Sequence, residues 1–155
     1  MTGGETLPKV WLMTEQQIKD FVARWYVVLD QHAPIEQANA LLNDRVRMKF
    51  PDGDIHDLAG FKTWYERVTN LFFDENHTVQ SVEATIQGDE ANLRVVVGWQ
   101  ASWFEPPAPK SKRVSMDATQ DWTVHTSSKN PWGLEITYYD AQAAPFNYAP
   151  GFARL

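Results

Sequence analysis

Residues 91–104 read ANLRVVVGWQASWF, and their order decides the fold. Leu93, Val95, Val97, Trp99, Ala101 and Trp103 fall on alternate positions, the period-two signature of a long strand with one face turned to a core or a cavity. Strand-like patterns flank this segment: His77 to Gln87, a turn at Gly88-Asp89, then Arg113 to Thr126 and Leu134 to Asp140. Consecutive strands with such short connections predict an antiparallel meander. Glu105-Pro106-Pro107-Ala108-Pro109 cannot pair mid-sheet and is read as a loop.

Upstream the period changes to that of helices. Thr14-Glu15-Gln16-Gln17 reads as a capping box, after which Ile18, Phe21, Val22, Trp25, Tyr26 and Leu29 recur at helical spacing. This helix should end between Asp30 and Ala33, because Pro34 cannot continue it; Pro34 then suits the first turn of a short second helix through Leu42. Val46, Met48 and Phe50 alternate with Arg45, Arg47 and Lys49 as a strand, and Pro51-Asp52-Gly53-Asp54 turns the chain. Asp57 can cap a third helix whose stripe is Leu58, Phe61, Tyr65, Val68 and Phe72. The tail from Ala141 carries two prolines and a glycine together with Phe146, Tyr148 and Phe152, so it reads as irregular yet docked.

At 155 residues the chain has the size of a single domain spanning 1–155, with a core at about 14–140 and the tail at 141–155. It has no cysteine, which excludes disulfides and thiolate chemistry and fits a cytoplasmic location. No segment has the length and apolarity of a membrane span, and Met1 to Met13 lacks the layout of a signal peptide. Fourteen Lys+Arg against twenty Asp+Glu leave a net charge of -6, which argues against nucleic acid as a partner. Seven Trp, five Tyr and eight Phe exceed what a small core needs; such rings tend to line cavities or interfaces.

Two helices, a strand, a third helix and a run of long antiparallel strands is an element order that resembles the nuclear-transport-factor-two-like superfamily with its SnoaL-like members. The fragments that carry the resemblance are Arg24-Trp25-Tyr26, Val46 to Pro51, Gly60-Phe61-Lys62-Thr63-Trp64-Tyr65 and Gln120-Asp121-Trp122-Thr123-Val124. It implies an α+β fold in which a cone-shaped, curved antiparallel sheet wraps three helices around a mostly apolar pocket. Isomerase-like members place an aspartate base directly before the proline that ends the first strand. Here that position is Phe50, so this residue cannot abstract a proton. The same members use a tyrosine of the first helix as an oxyanion donor, which Tyr26 matches, and an acid on a late strand, where Gln120 or Asp121 stands. One residue of slip reverses the face, so only one of these two can point inward; if Trp122 is inward, Gln120 is too.

The polar candidates are therefore Tyr26, His32, His77 and Gln120. Tyr26 can donate to an oxyanion, or can be a core tyrosine bonded to a backbone carbonyl. Asp30 and His32 stand at the end of the first helix as an acid/base pair or as a solvated terminus. His77 follows Asp74 and Glu75, which places two carboxylates near an imidazole at a strand end. Trp64, Trp99, Trp103, Trp122 and Phe50 are the candidate pocket walls. Four scattered histidines with no cysteine or paired-histidine spacing do not make a metal site, and no cofactor motif is present. The expectation is a cofactor-free lyase, isomerase or hydratase acting on a small apolar or aromatic molecule, or else a ligand-binding or adaptor domain. In either case it is expected to be a homodimer.

Overall fold

The computed structural model describes residues 12–155; the stretch Met1 to Met13, judged above for a signal peptide, lies outside the described residues except for Leu12 and Met13. The elements are α1 (Glu15–Asp30), α2 (Ile35–Asn39), β1 (Leu42–Phe50), β2 (Gly53–Ile55), α3 (Leu58–Leu71), β3 (Phe72–Gln87), β4 (Glu90–Trp103), β5 (Lys112–Thr126), β6 (Leu134–Asp140) and β7 (Asn147–Tyr148).

Local chemistry sets the helix boundaries. The Thr14 hydroxyl accepts from the Gln17 N–H at 3.0 Å and the Gln17 side chain accepts from the Thr14 N–H at 3.3 Å, closing the expected capping box. At the other end Asp30 is the last helical residue of α1, and His32 adopts a left-handed conformation (φ 48°) ahead of Pro34. Pro34 caps α2 from outside rather than sitting within it, and α2 stops at Asn39, short of the expected Leu42. Leu42 is already committed to β1, where it is buried and paired with Ile136. Asp57 caps α3 by accepting from the Gly60 N–H at 2.8 Å.

The sheet runs β2-β1-β6-β5-β4-β3, with β7 against β5. It is mixed rather than purely antiparallel, because β1 and β6 run parallel. The reason is topological: α3 carries the chain from β2 to the far edge strand β3, and the meander back brings β6 alongside β1 in the same direction. Two further elements differ from the sequence reading. Gly53 and Asp54, read as a turn, pair back onto Phe50 and Lys49 as β2. β3 begins at Phe72 rather than His77, directly out of α3, because Phe72 and Phe73 already pair with Trp103 and Ser102.

The concave face of the sheet and the helices share one core. Ile18, Phe21, Val22 and Trp25 of α1 meet Phe61 and Tyr65 of α3 and the inward side chains Val95, Val97, Trp122 and Ile136. A second cluster, around Ala101, Trp103, Val114 and Met116, gathers Phe72, Trp99, Phe146 and Tyr148. Arg47, Lys49 and Lys110 are exposed, as their strand and loop positions require. The outward face of β4 and β5 is polar, carrying Arg94 paired with Asp121 and Gln80 bonded to Asp117. Among the described residues no helix is long and apolar enough to cross a membrane.

Candidate active site

Between α1, α3 and the sheet lies a cavity of about 380 Å³ whose walls are mostly apolar. Its aromatic walls include Phe50, Trp64, Trp99 and Tyr139, with Phe50 and Trp64 stacked at 4.3 Å. Trp103 and Trp122, both read as walls, stand outside the lining. Trp103 turns its indole N–H to Glu105 at the surface, and Trp122 packs against Trp25 and Tyr26 in the core.

His77 and Glu75 from β3 and Gln120 from β5 line this cavity, as do Asp52, Arg67 and Thr69. Tyr26 and Asp30 are four residues apart on α1 and so share a face. The Tyr26 hydroxyl donates to Gln120 Oε1 at 2.7 Å, and the Trp122 indole donates to the same oxygen at 3.0 Å. Gln120 Oε1 is thus doubly engaged, and its side chain stands in the cavity wall beside Tyr139. Tyr26 thus supports Gln120 and does not itself stand in the wall. Burial first, then Tyr139 and Asp30, push the Tyr26 hydroxyl well above its usual range, so it stays protonated and donating. Asp121, the alternative to Gln120, points out of the sheet into its ion pair with Arg94.

Asp30 grips His77 twice: Oδ1 lies 2.5 Å from Nδ1 and Oδ2 accepts the His77 backbone N–H at 2.9 Å. A carboxylate only accepts, so Nδ1 carries the hydrogen, and in the neutral ring Nε2 is the nitrogen without one; His77 itself lines the cavity. The Tyr26 ring stacks on the imidazole at 4.6 Å and the Trp99 ring lies near-parallel to it at 6.3 Å.

Glu75 reaches the cavity because β3 bulges. Between Phe73 and Asn76 the strand advances three residues while β4 advances two, from Ser102 to Gln100. Asp74 takes up the extra place in a left-handed conformation (φ 51°), which brings Glu75 and His77 onto one side. Glu75 Oε1 accepts from the Trp99 indole at 3.0 Å, and Oε2 lies 2.5 Å from His32 Nε2. On the outer side Arg113 ties the bulge down, donating to the Asp74 carbonyl, Ser102 Oγ and Gln100 Oε1.

Asp30 and His32, weighed as a pair in the sequence reading, take different partners at one cavity: Asp30 holds His77, and His32 holds Glu75. The left-handed turn at His32 sends the two side chains apart. His32 itself stands behind Glu75 rather than in the wall. The sequence reading weighs Asp30 with His32 and Glu75 beside His77 without including either carboxylate among the polar candidates. The four-residue spacing of Tyr26 and Asp30 was the signal that could have found the first; a bulge leaves no such pattern. Among the described residues no group of three or more His, Asp or Glu side chains converges as a metal site.

A family model described as a SnoaL-like domain matches residues 12–126. No curated protein sequence matches the chain. Solved structures share its fold at low identity. Hexachlorocyclohexane dehydrochlorinase LinA-type3 from Novosphingobium barchaimii superposes with a TM-score of 0.70 at 11% identity, over 90% of this chain and 92% of that one. A nuclear-transport-factor-two-like superfamily protein from Salmonella enterica gives 0.65 at 12%, over 90% and 94%. The CaMKII hub of S. rosetta gives 0.63 at 11%, over 92% and 100%.

Proposed function

Since the chain belongs to the SnoaL-like domain family, whose fold supports chemistry and binding alike, the functional reading must come from the cavity, and we propose that it is a cofactor-free acid/base site for a small apolar or aromatic molecule. The observation that carries this reading is the Asp30–His77 pair, with His77 in the wall of a mostly apolar chamber. In the proposed step His77 removes a proton from carbon next to a carbonyl or comparable acceptor. Asp30 holds the tautomer and stabilises the imidazolium that forms. The Gln120 amide N–H bonds the oxygen on which charge develops, in mostly apolar surroundings where such a bond is stronger than in water. This is chemistry of the lyase, isomerase or hydratase kind. The missing carboxylate at Phe50 is no obstacle, since the base comes from β3 instead of the end of β1.

Nitrobenzisoxazole tests the base directly, because its ring opens when one carbon-bound proton is removed and the product is coloured. The protein should open it at a saturable rate, and His77→Gln should lower that rate about a hundredfold or more, the usual worth of a positioned base. A rate no greater than that of free imidazole would remove the enzyme reading and favour the second one, a pure ligand-binding domain. The walls of Phe50, Trp64 and Tyr139 would serve that role equally well. A cytoplasmic homodimer meeting on the outer sheet face belongs to the same proposal, and light scattering that reports a monomer would exclude the dimer.

A further inference from the structure

The base reading leaves Glu75 and His32 unused, although they form the second carboxylate–imidazole contact of the same cavity. Glu75 is largely enclosed, its side chain 9% exposed, whereas His32 is 27% exposed. Glu75 stands two residues from His77 on the same side of β3, about 7 Å along the strand. Trp99 joins them, its ring near-parallel to the His77 imidazole and its indole N–H on Glu75 Oε1. A strained turn at each end supports the contact. His32 and Asp74 are the only non-glycine residues with positive φ among the described ones; one ends α1 and the other makes the bulge that delivers Glu75.

We propose that Glu75 is a general acid working beside His77 and that His32 passes protons to it from solvent, so that the site takes substrates whose departing oxygen must be protonated. The inference rests on the base reading of His77 and adds the second half of the reaction. His77 Nε2 takes a proton from the carbon next to the carbonyl, and the C–H electron pair becomes the new C=C bond. The C–O bond on the neighbouring carbon breaks with its pair on oxygen, and the hydroxyl takes the proton held between Glu75 and His32 and leaves as water. His77 is then one proton up and the Glu75–His32 pair one down. Exchange with bulk water, at His32 for the pair, restores both. A halide or a phenolate is a good leaving group as the anion and makes no use of this pair; hydroxide is a poor one, so its departure gains from a proton delivered to the oxygen.

Two probes separate the halves. Nitrobenzisoxazole loses a stable phenolate and needs only the base. The aldol adduct of benzaldehyde and acetone must lose hydroxide as water, giving benzalacetone, which is followed by its absorbance. Glu75→Gln should lower the ratio of the dehydration rate to the ring-opening rate about a hundredfold. His32→Ala should lower the same ratio through kcat rather than KM, with imidazole added to the buffer restoring it. If Glu75→Gln slows both reactions equally, or imidazole fails to rescue His32→Ala, Glu75 only supports the wall and the acid role is overturned. A wild-type protein that opens nitrobenzisoxazole but never dehydrates the adduct also overturns it, while leaving His77 as base. A protein inert to both loses the base reading and this inference together. If Glu75→Gln does not fold, the His32→Ala rescue decides alone.

Discussion

Asp30 and His77, 47 residues apart, are joined through both carboxylate oxygens, one on the imidazole Nδ1 and the other on the backbone N–H of the same histidine. The double contact fixes the position of the strand residue against the end of α1, and by fixing the hydrogen on Nδ1 it selects the tautomer that leaves Nε2 basic. Position and protonation are thus set by one side chain.

Asp30→Asn separates these two effects. The amide oxygen can still accept the His77 backbone N–H, but the amide N–H group then faces Nδ1 and forces the hydrogen onto Nε2. Ring opening of nitrobenzisoxazole should fall about a hundredfold or more while the melting temperature stays within a few degrees. A rate within threefold of the parent would mean that the tautomer does not matter.

Trp25 has no exposed surface and meets Phe61, Trp122 and Tyr139 within 6.3 Å between ring centres. Trp25→Ala should cost about 3–5 kcal/mol, against a total stability of about 5–15 kcal/mol for a domain of this kind. Chemical denaturation measures it, and a loss below about 1 kcal/mol would show that the site collapses around the gap.

The ease of placing Trp25 shows which parts of this molecule are legible in sequence. Trp25, Tyr65 and Val97 lie in long periodic segments, where burial on one face follows from a 3.6- or two-residue repeat. The candidate site sits where those repeats break. His32 is turned by a single left-handed residue at the end of α1, and Glu75 is re-aimed by one extra residue in β3, so neither partner could be read from spacing. Gln120 was accessible because Trp122 shares its face. The parallel β1–β6 pairing was not, since it depends on where α3 returns the chain.

Arg113 bears on the bulge from outside the cavity, bonding the Asp74 carbonyl, Ser102 Oγ at 2.8 Å and Gln100 Oε1. Arg113→Ala should loosen the aim of Glu75 and His77 without touching either. The expected result is roughly a tenfold loss of turnover on either probe with a modest loss of stability, because misplacement of order 1 Å is costly to catalysis. Unchanged turnover would mean that the strained Asp74 backbone holds itself.

His125 predicts a pH dependence away from the cavity. Its Nδ1 donates to the Thr126 carbonyl at 2.9 Å and its Nε2 lies 3.2 Å from Asp89. The backbone bond, then the carboxylates Asp89, Glu135 and Glu90, raise the imidazole above its ordinary value against an opposing effect of burial. Because the folded value exceeds the unfolded one, the contribution is fully present below about pH 6.5 and fades as pH rises through the folded value. Both partners are substantially exposed, so solvent screening limits the effect to about 1 kcal/mol or less. His125→Gln should therefore melt up to about 3 °C below the parent at acidic pH and together with it at alkaline pH. A gap that widens with rising pH would reverse the sign and refute the assignment.

The tail supplies the last test. β6 covers only Asp121 to Thr126 of β5, so the edge of β5 from Arg113 to Thr119 needs another partner, and the tail provides it. Asn147 and Tyr148 pair with Asp117 and Met116, while the N–H groups of Ala143, Ala149 and Ala153 reach the carbonyls of Thr119, Ser115 and Arg113. The rings of Phe146, Tyr148 and Phe152 are too irregularly spaced to predict any strand, yet two residues of this segment form one. The pairing follows from the open edge of β5 and not from the tail's own pattern. Docked there, the tail sets Phe146 and Leu155 in the cavity wall, where they can limit the entry of water as a lid does. Deleting Ala144 to Leu155 should raise the binding of an apolar fluorescent dye, and Phe146→Ala should raise it less while leaving the β5 edge covered. If deletion exposes only a sticky edge, dye binding will rise for the truncated chain and stay at the parent level for Phe146→Ala. Only an increase in both variants, with melting still cooperative, makes the tail a wall of the cavity.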